Sequence, residues 1–283
     1  MIVALIRPSR LIGGNASLRL GLILLVALVL FCLIGPLLLP DPNRQDLTRA
    51  FRPPGRLPNL LGTDALGRDV LGWIAGSIRI GLFVSASVVV LSALAGVIVG
   101  LVAGYAGGAL DSFLMRVVDL QLAVPPLLLF IAASVVAGNS MANLIVLLSI
   151  VGWVPYARLV RSRVLSERLR AYVSAARLAG SGVPRILFIH LLPSTLTPIV
   201  VLASLQAGLV LLWESGLSFL GRGLPPPTTS FGVIIALGRS YLVQAWWIVT
   251  LPGIAIILLV LAFNLLGDGL RDRFNLDVHV LDR

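Results

Sequence analysis

The chain has 283 residues, 58% hydrophobic and 12% charged, with a mean hydropathy of +1.02. Soluble domains carry about 25% charged residues, so the composition excludes an ordinary soluble domain and marks an integral membrane protein. The formal charge of +10 comes from basic residues spaced between apolar runs, which is a topology signal and not the basic face of a nucleic-acid binder.

Arg7, Arg10 and Arg19 precede an uncharged run from Leu20 to Leu39. The run exceeds the roughly 7–15 apolar residues of a signal peptide, and no A-x-A site follows, so a retained membrane span is expected. Cys32 inside it is the single cysteine; it forms no internal disulfide and reads as a small apolar filler. The following loop is proline-rich and extended. From Thr63 the spacing of Leu66, Val70, Trp73 and Ile74 predicts an amphipathic surface helix, capped by Thr63 or Asp64, that leads into a second span over 80–104. Gly96, Gly100 and Gly104 recur every fourth residue in that span. The spacing permits close approach of another helix, and it fits equally with the general glycine enrichment of membrane helices.

A third span is expected over 117–137, with Pro125 and Pro126, and a fourth over 142–159, with Pro155. The stretch RAYVSAARLAGSGVPRILFIHLLP, residues 170–193, then breaks the apolar pattern. Its first part, 171–179, consists of helix formers, with small side chains at Ser174, Ala175 and Ala176 followed by Arg177. Gly180 and Gly182 suit a helix end and a turn; Ser181 suits the cap of a second helix with Pro184 in its first turn, running to Leu192, where Pro193 interrupts it. Two short helices at an angle would suit docking, whereas the pattern alone fits an ordinary basic cytoplasmic loop somewhat better. Spans over 196–220 and 246–266 complete a set of six. Glu214 and Gln206 lie in the fifth; an intramembrane carboxylate is either a proton or amine contact or a structural hydrogen-bonding centre. Asp268, Arg271 and Asp272 close the sixth, with local pairing of Arg271 expected. His190, a lone histidine in the basic stretch, suits helix packing, and no metal or cofactor site is expected.

With the N-terminus placed in the cytoplasm, six spans put 14 arginines inside and 8 outside. Between 158 and 185 there are seven arginines against Glu167 alone, which makes that loop cytoplasmic, along with both termini. The chain has no lysine, and a P-loop needs one on the phosphates; any ATP that energises it is hydrolysed on another subunit. No H-E-x-x-H or comparable catalytic constellation occurs, so the chain is not expected to be an enzyme.

The stretch 170–193 resembles the EAA loop of ABC-transporter permeases through Ala175, Ala176, Gly180, Leu192 and Pro193, and HLLP is similar to the HxLPN form of the dipeptide, oligopeptide and nickel permeases. Ser174 stands where that family has glutamate, and Ser194 where it often has asparagine. The segment LGTDALGRD carries the G-T-D-x-x-G-R-D signature of the C-type permease: Gly62, Thr63, Asp64, Gly67, Arg68 and Asp69. ESGLSFLGRG, with Glu214, Leu217, Ser218, Phe219 and Gly221, and FNLLGDGLRDRF, with Gly267, Asp268 and Gly269, are similar to its late motifs.

The resemblance implies an all-α integral membrane protein with six transmembrane helices of the type I ABC importer permease kind. A first segment, 1–79, would hold the first span and external loop, and a unit over 80–283 the permease, with its coupling loop at about 160–193. It further implies a heterodimer with a second permease, two ATPase subunits docked on the cytoplasmic face, and an extracytoplasmic solute-binding protein delivering dipeptides or oligopeptides. Nickel, glutathione or another small solute is the alternative cargo. A self-sufficient secondary transporter would require paired intramembrane charges and inverted repeats, which are not evident.

Overall fold

The computed structural model describes residues 15–39, 41–55, 57–225 and 227–281, and within these it is helical. Arg7, Arg10, Arg56 and Arg283 of the charge count lie outside them. No β-strand forms among the described residues; one isolated bridge joins Thr63 and Asp69. Five helices are long and apolar enough to cross a bilayer: α1, Ala16–Leu38; α2, Val70–Ala106; α5, Met141–Glu167; α7, Val183–Phe219; and the apolar part, Trp247–Phe274, of α9, Trp247–Leu281. Between α2 and α5 lie α3, Gly108–Leu122, and α4, Pro126–Ala137. Short helices α6, Ala171–Leu178, and α8, Phe231–Gly238, complete the set.

The expected third span is therefore not a straight helix. α3 and α4 meet at a bend of 87°, and only if they are taken as one broken span does the number of spans reach six. The break follows from Pro125–Pro126: the residue before a proline is pushed out of the helical region, and Pro125 adopts an extended ψ of 129°. The surface helix expected from Thr63 is also corrected. Residues 63–69 form a turn, and the helix begins at Val70 with Asp69 as its cap, then runs unbroken for 37 residues across the expected boundary at 79–80. At 1.5 Å per residue α2 is about 55 Å long, well beyond a hydrocarbon core of about 30 Å.

α2 and α5 make the most extensive contact, α9 packs on α1 and α7, and α7 also touches α2 and α5. The glycine spacing in α2 is explained by this pairing. A Cβ on Gly96 would lie 2.4 Å from the Trp153 carbonyl oxygen, one on Gly100 2.6 Å from that of Ala157, and one on Gly104 2.8 Å from the Val164 Cβ. All three face α5, so the backbones approach as only glycine permits. Pro155 lacks the N–H that would satisfy the Val151 carbonyl in α5. Gln121 of α3 supplies it from the side: its Nε2 donates to Ile150 O at 2.8 Å and Val151 O at 3.3 Å, while its Oε1 accepts from Trp153 Nε1 at 3.0 Å.

Candidate functional site

The arginine-rich end of the bundle is built on the ends of α2 and α5. Arg161 of α5 grips Asp111 of α3 with two bonds, Nε to Oδ1 at 2.5 Å and Nη2 to Oδ2 at 2.7 Å. Arg168 reaches back to the last turn of α2, its Nη1 donating to Gly104 O at 2.9 Å and Tyr105 O at 3.2 Å. These carbonyls have no partner within their own helix, and the negative end of the helix dipole favours a cation there. From this base projects α6, which has one buried side chain, Val173, packed in a cluster with Val164, Ile186 and Leu191. Tyr172 donates to Glu167 Oε2 at 2.8 Å. Burial, and then that carboxylate, push the Tyr172 phenol up to about 12, so it stays a donor throughout the physiological range.

α6 ends in a glycine-closed turn. Gly180 has φ +77°, Ser181 N donates to Ala176 O at 3.0 Å and Gly180 N to Arg177 O at 3.0 Å, the paired bonds of a Schellman motif. The expected second helix is corrected: Gly182, not Ser181, precedes the helix, and Val183 begins α7, which continues through Pro193 to Phe219. Pro193 does not break it because the preceding turn, Ile186–Leu191, is wound as a π-helix that closes with Leu192 N donating to Leu187 O. The loop is one short helix hinged onto a membrane helix. His190 lies in that π turn, half-buried, its ring centroid 6.5 Å from that of Tyr172.

Ser174, Ala175, Arg177, Gly180 and Gly182 are exposed; Ala176, Ser181, Leu192 and Pro193 are partly covered. Ser174 makes no side-chain hydrogen bond among the described residues, and Ser194 bonds within its own helix, to Leu191 O at 2.7 Å. Leu178 is 91% exposed and Leu169 79%. Both leucines are thus exposed at the arginine-rich end of the bundle.

At the opposite end the G-T-D-x-x-G-R-D segment folds into a clasp whose polar groups bond mostly within it. Asp64 accepts from Leu66 N and Arg68 N, both at 2.9 Å, and pairs with the Arg68 guanidinium at 2.6 Å. Arg68 stacks on Trp73, 4.0 Å from the ring centroid. Asp69 caps α2 through Gly72 N at 2.7 Å and accepts from Asn59 Nδ2 at 2.9 Å. Thr63 Oγ1 donates to Arg49 O and accepts from Arg52 N at 2.9 Å. Gly67, at φ +72°, lies where a Cβ would strike the Asp46 carbonyl, and Gly62, at φ +81°, where one would strike Arg52 O and Trp247. Trp247 Nε1 donates to Thr63 O at 3.1 Å, tying the clasp to the start of α9.

Glu214 of α7 is 1% exposed and has no cationic partner among the described residues. Its Oε1 accepts from Ser218 Oγ and Ser230 Oγ, each at 2.8 Å, and its Oε2 from Ser215 Oγ at 3.3 Å. Ser218 and Ser230 in turn accept from the backbone N–H of Leu224 and Gly232. The carboxylate thus gathers three hydroxyls and fastens the 220–230 loop and α8 against α7, with Leu217 buried beside it and Phe219 and Gly221 at the turn. This geometry is that of a structural hydrogen-bonding centre. Ser215 and Ser218, one and four residues away on the same helix, were legible from spacing; Ser230 was not, because only the return of the chain brings it there.

In the last motif Gly267 faces Ser204 of α7 and Gly269 faces the Leu18 backbone of α1, while Asp268 between them is exposed. The expected pairing of Arg271 is absent among the described residues.

Comparison with known proteins agrees with this architecture. Residues 96–280 match the family described as binding-protein-dependent transport system inner membrane component, and residues 15–54 match the N-terminal TM domain of oligopeptide transport permease C. The chain is 41% identical over 260 residues to the di/tripeptide transport system permease protein DppC of Pseudomonas aeruginosa, covering 89% of this chain and 86% of that protein. It is 39% identical over 264 residues to the dipeptide transport system permease protein DppC of Haemophilus influenzae, covering 91% and 90%.

Proposed function

We propose a function from one premise: the chain belongs to the family of binding-protein-dependent transport system inner membrane components, and is a multi-pass permease subunit and not an enzyme. In this reading it forms half of a translocation path for dipeptides or short oligopeptides, paired with a second permease. Two ATPase subunits act from the cytoplasm, and an extracytoplasmic binding protein delivers the solute. Both termini and α6 face the cytoplasm, as the arginine distribution favours. Residues 1–79 then form the N-terminal segment and external loop, and 80–283 the permease unit.

The observation that carries the reading is α6: a short helix anchored by Val173 and closed at Gly180, with Leu178 exposed beside it. ATP binding to an ATPase docked there shifts the permease pair between access states, and a rigidly seated helix transmits that shift. Glu214, Ser218 and the G-T-D clasp hold the opposite end as one body.

Reconstitution into liposomes tests this. With second permease, ATPases and binding protein present, uptake of a labelled di- or tripeptide is expected only with ATP inside. Equal uptake by the chain alone, driven by an ion gradient, would refute it.

A further inference from the structure

A groove of 590 Å³ opens between α5, α7 and α9 at the arginine-rich end. Leu159 of α5 and Val201, Leu202 and Leu205 of α7 form its apolar wall; Arg158, Arg163 and Arg271 also line it. Arg158 is held by Asp119 at 2.6 Å, an exposed pair. Arg163 and Arg271 make no ion pair among the described residues, although Asp268 and Asp272 flank Arg271 on α9.

The depths of these residues can be read from helix rise. Counted from Met141 and Phe219 at the opposite end, Pro155 and Leu205 lie about 21 Å along their helices and Val201 and Leu202 about 26 Å. Arg163 lies about 33 Å from Met141, and Arg271 about 36 Å from Trp247. With those helix ends taken as one boundary of a hydrocarbon core about 30 Å thick, the apolar wall falls at acyl-chain depth in one leaflet and the Arg163 and Arg271 guanidiniums at the level of the headgroups.

From this juxtaposition we infer that the groove is a binding site for an anionic phospholipid, one acyl chain lying along Leu159, Val201, Leu202 and Leu205 and the phosphate held by Arg163 and Arg271. Charge complementarity selects the anion. A zwitterionic lipid brings a second cation beside its phosphate and leaves the net positive charge of the two guanidiniums unbalanced, and a soluble phosphate would leave the apolar wall bare. Arginine suits the task because its planar fork binds phosphate oxygens bidentately. Basic pockets between membrane helices at the cytoplasmic surface are suited to such headgroups. The assignment to the inner leaflet rests on the orientation proposed above; the site itself does not.

The test uses the full-length chain purified from membranes. Lipid retention is measured by native mass spectrometry in detergent containing phosphatidylglycerol or phosphatidylcholine. The wild-type chain is expected to retain phosphatidylglycerol preferentially. Arg163→Gln with Arg271→Gln is expected to weaken phosphatidylglycerol retention roughly 25-fold, about fivefold for each arginine, and to weaken phosphatidylcholine retention far less. Leu205→Trp, which fills the groove and keeps the charges, should weaken it as well; it also serves if the double variant does not fold. Equal retention of the two lipids by the wild type would overturn the inference. So would undiminished phosphatidylglycerol retention in both variants, displacement by free glycerol phosphate, or a disulfide from Val201→Cys to the second permease, which would make the groove a protein interface. Peptide uptake is read separately, so failure of the lipid site and failure of the transport reading are distinguishable.

Discussion

Replacing Gly180 separates the internal strain of the α6 turn from its contact with a partner. Gly180 sits at φ +77° with open space around the position of a Cβ. Alanine there meets no atom of the chain and costs only the left-handed strain of an L-residue, about 1 kcal/mol, or roughly a fivefold rise in opening of the turn. Arginine imposes the same backbone strain and adds a long cationic side chain pointing away from the bundle. Gly180→Ala should therefore reduce ATP-dependent uptake only a few-fold, with the ATPase subunits still co-purifying. Gly180→Arg should abolish both uptake and co-purification while membrane insertion and melting temperature match those of Gly180→Ala. Because the two variants differ only in what projects outward, the excess loss in the arginine variant measures contact with something outside the chain. If the two were equally active, or equally impaired, α6 would not be the docking element and the reasoning would fail.

Three further outcomes follow from the packing. Gly100→Leu forces apart α2 and α5 where a Cβ would already lie 2.6 Å from the Ala157 oxygen, and should cost about 2 kcal/mol after the gain in helix propensity. Earlier thermal labelling of buried Cys32 by a thiol dye would register it, and unchanged labelling would count against the close approach. Glu214→Leu strips three hydroxyls of their acceptor and should cost about 3 kcal/mol, whereas Glu214→Gln keeps an acceptor oxygen and should cost less than about half of that. Melting temperatures compare them, and equal losses would point to the charge itself as the requirement. Asp64→Ala leaves a largely buried Arg68 guanidinium unpaired and should loosen the clasp by about 2–3 kcal/mol, seen as faster proteolysis between residues 41 and 69; an unchanged rate would show the ion pair to be dispensable.

The apolar runs of the sequence located the five long helices, because a span must be long and apolar whatever surrounds it, but missed the polar-flanked turns by which α2 and α7 begin earlier and α5 and α9 end later than expected. The glycine interval in α2 was legible too, but not its meaning: whether the glycines face lipid or a helix depends on where α5 lies. The same holds for the prolines. Pro125–Pro126 and Pro193 look alike as breakers, yet one pair bends the chain by 87° and the other residue is absorbed in a π turn, since a neighbouring turn can re-satisfy a lost hydrogen bond. The G-T-D motif was recognisable by its letters, whereas its role as a self-bonded clasp tied to Trp247 required the fold, because its tie to Trp247 crosses 184 residues of chain. The sequence by itself determined membrane residence, the rough positions of five spans and the basic segment between α5 and α7, all of which follow from local composition. Only the tertiary structure decided which face of each helix is covered and which polar groups meet, because burial and pairing depend on residues brought together from distant parts of the chain.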